Sequence, residues 1–143
     1  MKFQDFIDSQ KVRKGDPDIQ VAKSLIKMSD SHIKSLQQLE ITETTAATVM
    51  TTYYEALREI VEAIAINEGY KVYSHEAFTS FLKEKNEELI SSKFDRFRKI
   101  RNNINYYGKS IDADSVKENK NEIEKIIKEL KEKFLQNLIE NSG

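Results

Sequence analysis

Apolar residues recur at intervals of three and four along most of this chain, the spacing that gathers side chains on one face of an α-helix. Phe3, Phe6 and Ile7 share such a face in a short opening helix. Gly15, Asp16 and Pro17 then interrupt the pattern. Asp16 is suited to cap a helix, and Pro17 to open it, because proline's missing N–H falls where no intrahelical acceptor exists. From about Pro17 to Leu39, the stripe Ala22, Leu25, Ser29, His32, Leu36 and Leu39 predicts a long helix with His32 in the middle of its core-facing side. A threonine-rich link around Thr42 to Thr45 follows. Val49, Met50, Tyr53, Tyr54, Leu57, Ile60, Val61 and Ile64 then define the most apolar segment, read as the central helix of a bundle.

Gly69 marks the end of that helix, where a left-handed C-terminal cap favours glycine. After a short link at Tyr70 to Tyr73, Ser74 is placed to cap a third helix with Ala77, Phe78, Phe81 and Leu82 inward and His75 and Glu76 in its first turn. A fourth helix begins near Glu87 or Glu88, carries Leu89, Ile90, Phe94, Phe97, Ile100 and Ile104, and stops at Gly108. Asp112 or Asp114 caps a fifth, running to about Glu140 with Val116, Ile123, Ile126, Ile127, Leu130, Phe134 and Leu138 inward. Its outer face alternates lysine and glutamate, with Glu124–Lys128 and Glu129–Lys133 pairs one turn apart, and reads as a solvated surface. No segment shows the two-residue alternation of a strand. The expectation is an all-α fold, an up-and-down bundle of four main helices plus a short N-terminal one, in a single domain with its core at about 17–138.

Composition agrees with that reading. One proline and four glycines in 143 residues leave long stretches free to be helical. A hydrophobic content of 38% beside 33% charged residues is too apolar for a disordered chain and suits a bundle with a charged surface. The net charge of −1 gives no global attraction to nucleic acid or membrane, so any anion site must be a local patch. There is no cysteine, which removes disulfides and thiol catalysis. No run approaches the ~20 apolar residues of a membrane span, and the opening MKFQDFIDSQ does not read as a signal peptide. The expected location is the cytoplasm.

One stretch departs from a plain amphipathic pattern: Phe94 to Gly108, FDRFRKIRNNINYYG. Phe94, Phe97, Arg101 and Ile104 follow a buried stripe, so Arg101 stands where an apolar residue belongs. Arg98 lies one turn before it and Asn105 one turn beyond. A desolvated arginine needs a carboxylate, a set of carbonyls or an outside anion. An acidic residue of the central helix (Glu55, Glu59 or Glu62) would satisfy it internally; a phosphate would satisfy it from outside. Lys93, Arg96, Arg98, Lys99 and Arg101 make this helix locally basic, with only Asp95 to offset them. Guanidinium groups match phosphate in a bidentate way, and the neighbouring tyrosines and asparagines suit stacking on bases or hydrogen bonding to them. His32 reads as a polar spot in the core and His75 as a first-turn residue locking the link before it. Two histidines far apart, without cysteine, make no metal signature, and neither a glycine-rich phosphate loop nor a Ser-His-Asp arrangement is present. Tyr53, Tyr54, Tyr70 and Tyr73 read as packing residues. No cofactor is expected.

The chain resembles the HEPN family of RNA-directed and toxin–antitoxin proteins. HEPN domains carry an Arg-x4–6-His motif near the end of a helix, often with Asn directly after the Arg; Arg101-Asn102 is similar to the opening of that motif. The segments YYEALREIVEAIAINEGY and GYKVYSHEAF resemble the helix, link and helix start that many members place upstream. The likeness covers the chain from about Pro17 to Leu138. Where the family's histidine would stand, this chain has Tyr106, and the longer spacings hold Tyr107 or Gly108. In active members the Arg and His of two subunits meet across a dimer, and RNA is cut without a metal through attack of the ribose 2′-OH. A phenol, with an ordinary pKa near ~10, is a poor general base at neutral pH, though it still donates a hydrogen bond to phosphate.

The resemblance therefore implies a homodimeric, RNA- or nucleotide-binding protein with a degenerate ribonuclease motif. Arg101 would grip phosphate with Arg98, Asn102 and Asn105 would orient it or position Arg101, and Tyr106 and Tyr107 would hydrogen-bond or stack. Two other readings follow from the same likeness. One is an active metal-independent endoribonuclease toxin in which Tyr106 or another residue replaces the histidine. The other is a non-catalytic partner of a minimal nucleotidyltransferase. Some HEPN toxins are modified by such a partner on a tyrosine two positions after the histidine, a position that here is Gly108.

Overall fold

The structure, a computed structural model, describes residues 1–140. In chain order the elements are α1 (Phe3–Asp8), β1 (Val12–Lys14), α2 (Ile19–Gln37), α3 (Ala46–Asn67), β2 (Tyr70–Val72), α4 (His75–Glu84), α5 (Glu88–Tyr107), α6 (Ala113–Phe134) and α7 (Gln136–Glu140). The fold is all-helical apart from one two-stranded ribbon. α2, α3, α5 and α6 are the long helices, and α3 is the central one, packing against α2, α4, α5 and α6. Every apolar residue expected inward on α3, from Val49 to Ile64, is buried. The apolar residues expected inward on α4 (Ala77, Phe78, Phe81, Leu82) are buried as well.

The ribbon is the first correction to the sequence reading, which expected no strand. β1 and β2 pair antiparallel with Val12 opposite Val72 and Lys14 opposite Tyr70. Three residues per strand are too few for alternation to show in sequence. The pairing is held by its surroundings: Val12 is buried, and Tyr70 packs edge-on against Phe3 of α1 at 5.1 Å. The Gly69 turn is fitted to the same contact. Gly69 has φ +93°, and a Cβ there would stand 2.3 Å from the Gly15 carbonyl oxygen, so it needs glycine for both conformation and space.

Several helix ends also move. α2 starts at Ile19 with Asp18 as its cap, accepting from the Val21 N–H at 3.1 Å, rather than with Asp16 and Pro17. The reason is tertiary: the Gly15 N–H donates to the Gly69 carbonyl at 2.7 Å and holds the chain extended through Pro17. Ser74 occupies the capping position of α4 but makes no capping hydrogen bond. The expected fifth helix breaks after Phe134, where Leu135 leaves helical geometry and is buried, and α7 follows. Leu39, Tyr73 and Leu89, expected inward or packed, are exposed. Asn86, in the left-handed region at φ 63°, separates α4 from α5, with the Glu87 N–H returning to the Leu82 carbonyl. Gly108 ends α5 at φ 61°, and Asp112 caps α6 through the Ser115 N–H at 2.7 Å. No helix among the described residues is long and apolar enough to cross a membrane.

Candidate functional site

The C-terminal half of α5 runs past the start of α4, and Lys11 and Ser74, which flank the β1–β2 ribbon, close the third side. Two contacts set this geometry. Phe94 of α5 is fully buried against Tyr54 of α3 at 5.5 Å and Phe78 of α4 at 6.2 Å, which fixes α5 on its neighbours. The Tyr73 N–H donates to the Lys11 carbonyl at 2.8 Å, which ties the end of the link to the residue before β1. Between them lies an open cleft of about 310 Å³ lined by Lys11, Ser74, His75, Glu76, Arg98, Arg101, Asn102 and Tyr106.

Arg101 is half-buried in this cleft. Its Nη1 donates to Asn102 Oδ1 at 3.0 Å and to the Tyr106 hydroxyl at 3.2 Å. Its guanidinium lies over the rings of Tyr106 and Tyr54 at 5.4 and 5.9 Å. No carboxylate pairs with it among the described residues. The internal partners weighed in the sequence reading are engaged elsewhere: Glu55 and Glu62 both hold Arg58, and Glu59 bonds His32 Nδ1 at 2.8 Å. Arg101 is thus oriented by neutral groups and forms no ion pair among the described residues, although the Glu55 carboxylate acts on it through the field.

Arg98 differs from it. Its Nε and Nη2 donate to Asp95 Oδ1 at 3.1 and 2.9 Å, and Glu76 stands 3.9 Å away. Burial acts to raise the Asp95 pKa, but Arg98 and Lys99 outweigh it and hold the carboxyl below its ordinary value. Much of the basic bias expected of α5 is consumed in this way, since Arg96 likewise pairs with Glu122 at 2.9 Å. Asn105 and Tyr107 are exposed at the end of α5 and do not line the cleft. The sequence segment therefore divides: Arg98, Arg101, Asn102 and Tyr106 come together, and Asn105 and Tyr107 stay outside.

The cleft also holds two residues that the sequence reading did not assign to a site. Lys11 reaches it from the turn before β1 and has no acidic partner among the described residues. His75 enters from the first turn of α4. Its Nδ1 lies 2.8 Å from the Tyr54 hydroxyl, and its ring stacks on Tyr54 at 5.8 Å and packs edge-on to Phe78 at 6.1 Å. Burial, then the Arg58 and Arg101 charges, pushes the imidazole pKa below its ordinary value, with Glu55 opposing. Burial pushes Tyr54 up despite nearby arginines, so its phenol stays neutral. Nothing in the spacing of His75 relative to Arg101 signals this meeting, which depends on how α4 packs on α5.

Larger clefts exist, including one of about 450 Å³ between α2 and α6. There Lys131 is paired with Asp30 and Glu124 accepts from Tyr53 at 2.8 Å, while Lys34 and Lys128 form no ion pair among the described residues. Among the described residues no group of three or more His, Asp or Glu side chains is placed to hold a metal ion. What the Arg101 cleft offers is an oriented guanidinium, a lysine, an imidazole and an exposed phenol around a space open to solvent. That is a set of hydrogen-bond donors and cations for an oxyanion such as phosphate. No protein-family model, no curated protein and no solved structure matches this chain.

Proposed function

We propose that this protein is a HEPN-like RNA- or nucleotide-binding protein whose phosphate site is the cleft at Arg101. The observation that carries the reading is that Arg101 stands in an open cleft without an ion pair among the described residues, while Glu55 and Glu62 pair with Arg58 and Glu59 with His32. Arg101 grips a phosphate oxygen and Lys11 adds a second cation. Asn102 holds the guanidinium in place, and the exposed Tyr106 ring offers a face to a base. In this reading the protein acts as a homodimer and works within a toxin–antitoxin or nucleotidyltransferase pair, as the family resemblance implies.

The test is fluorescence anisotropy of a labelled single-stranded RNA in EDTA at low salt, with wild type and Arg101→Ala. Wild type is expected to bind and the variant to bind at least about tenfold more weakly, a loss of about 1.4 kcal/mol. Equal binding by the two, or none by wild type, would refute the reading. Incubation with a nucleotidyltransferase partner and ATP, followed by intact mass, tests the pairing: a mass increase supports it and an unchanged mass counts against it.

A further inference from the structure

We propose that the Arg101 cleft takes the terminal phosphomonoester of an RNA strand or a nucleotide, not an internal phosphodiester, with His75 among its hydrogen-bond donors. The inference rests on the reading of the cleft as a phosphate site.

Four observations lead to it. First, both hydrogen bonds of Arg101 leave from Nη1, to Asn102 and to Tyr106. Nε and Nη2, the edge that takes two phosphate oxygens side by side, have no partner among the described residues. Second, the His75 imidazole is a donor. Tyr54 is fully buried, and its hydroxyl meets only His75 Nδ1, at 2.8 Å. The phenol proton therefore goes to Nδ1, and the proton of the neutral ring sits on Nε2. Nε2 has no partner among the described residues and is not enclosed, and His75 lines the cleft. Burial and the neighbouring arginines favour the same neutral ring. Third, the Ser74 hydroxyl makes no capping bond in α4 and lines the same cleft. Fourth, Lys11 and Arg101 form no ion pair, whereas Arg98 is held by Asp95 with Glu76 3.9 Å away. The Glu55 carboxylate, which acts on Arg101 through the field, is itself held by Arg58. Two cations are left over.

An internal phosphodiester offers one charge and two free oxygens, which the open edge of Arg101 alone would occupy. A terminal phosphomonoester carries a charge of about −1.5 to −2 at neutral pH and three free oxygens. It gives Lys11, His75 Nε2–H and the Ser74 hydroxyl a third oxygen to meet, and it balances both unpaired cations. Bounded by α5, the start of α4 and Lys11, the cleft receives a chain end without the strand having to leave by a second opening. The Arg101 guanidinium covers one face of the exposed Tyr106 ring at 5.4 Å and leaves the other to the terminal base.

The experiment is fluorescence anisotropy in EDTA at fixed salt with internally labelled single-stranded RNAs of one sequence, carrying a 5′-phosphate, a 3′-phosphate or hydroxyls at both ends. A fourth strand with hydroxyl ends is two nucleotides longer, so that its charge matches the phosphorylated ones. Wild type is expected to bind one or both phosphorylated strands at least about tenfold more tightly than the charge-matched strand. Displacement by AMP as readily as by the unlabelled phosphorylated strand assigns the site to mononucleotides; displacement by the strand alone assigns it to RNA ends. Lys11→Ala is expected to lower the preference to about threefold or less. So is His75→Leu placed in a Tyr54→Phe background, which removes the donor without leaving a buried hydroxyl unpaired; thermal melts establish that both variants fold. Equal binding of all four strands, lost in Arg101→Ala, would overturn the terminal-phosphate assignment and leave the phosphate-site reading standing. No binding of any strand would overturn both. A tenfold preference kept by the folded His75→Leu, Tyr54→Phe protein would remove His75 from the site.

Discussion

Two histidine-containing clusters flank α3, and they have opposite characters. On the α2 side, His32 Nδ1 meets Glu59 at 2.8 Å, and the Ser29 hydroxyl donates to the Ala56 carbonyl at 2.8 Å. Glu59 is fully buried, and its Oε2 has no partner among the described residues. Burial raises its pKa against the pull of His32, which favours the neutral acid, the cheaper state for an enclosed carboxyl. On the α4–α5 side, His75 meets a neutral phenol, and Arg101 meets an amide and another phenol. The first cluster pairs His32 with a carboxyl inside the bundle and leaves only the buried Glu59 Oε2 without a partner among the described residues. The second orients its charged group with neutral ones and opens to solvent. A histidine on an apolar stripe is therefore uninformative until its partner is known, and the position of the carboxylates separates the two cases.

The largest effect expected is one that abolishes the contrast. Phe94 lies under Tyr54 and Phe78, and Phe94→Ala removes the support of the whole cleft, at a cost of about 3–5 kcal/mol in a denaturant melt. His32→Ala breaks only the closed cluster. It leaves Glu59 buried without its base, and chemical denaturation should show a loss of about 1–2 kcal/mol with RNA affinity unchanged, the partial exposure of His32 keeping the cost modest. Arg101→Ala reverses the pattern, with melting unchanged and RNA binding reduced at least about tenfold. A loss of stability in place of affinity would put Arg101 in the structural class with His32.

Smaller effects sharpen the outline of the cleft. Asn105→Ala, outside it, should shift RNA affinity by less than about twofold, whereas Asn102→Ala, which frees the Arg101 guanidinium, should weaken binding several-fold. The pH dependence of stability isolates His75. Its folded pKa lies below the ordinary imidazole value of about 6.5, so the unfolded chain takes up the proton first and stability falls as pH drops through that value. Glu59, with its pKa raised, works in the other direction, losing stability as pH rises through its folded value, but it is common to wild type and variant. Melting scans from about pH 7.5 to 5.5 should therefore decline more steeply for wild type than for His75→Gln; parallel declines would place the imidazole in contact with solvent rather than in the cleft wall.

The legibility of the site follows the same division. Arg98, Arg101, Asn102 and Tyr106 share one helix, so a 3.6-residue repeat was enough to bring them to one side. Asn105 and Tyr107 share that helix too, but they are exposed on its last turn and do not line the cleft beside the start of α4. His75 and Lys11 come from other elements, and no local spacing relates them to Arg101. The distinction between Arg98 and Arg101 was equally hidden: both looked basic in sequence, and only Asp95 and Glu76 at 2.9 and 3.9 Å show that Arg98 is already matched.

The amino-acid pattern by itself determined that this chain is helical, which of its segments is central, and where most helices stop, because periodicity and capping are local properties of a few neighbouring residues. The ribbon of β1 and β2, the delayed start of α2 and the break before α7 were decided by tertiary contacts, where a short segment gains more from a distant partner than from continuing its own local geometry. The cleft was decided the same way. Its chemistry depends on which charges are matched across helices, and that is set by packing around Tyr54 and Phe94 rather than by any interval along the chain.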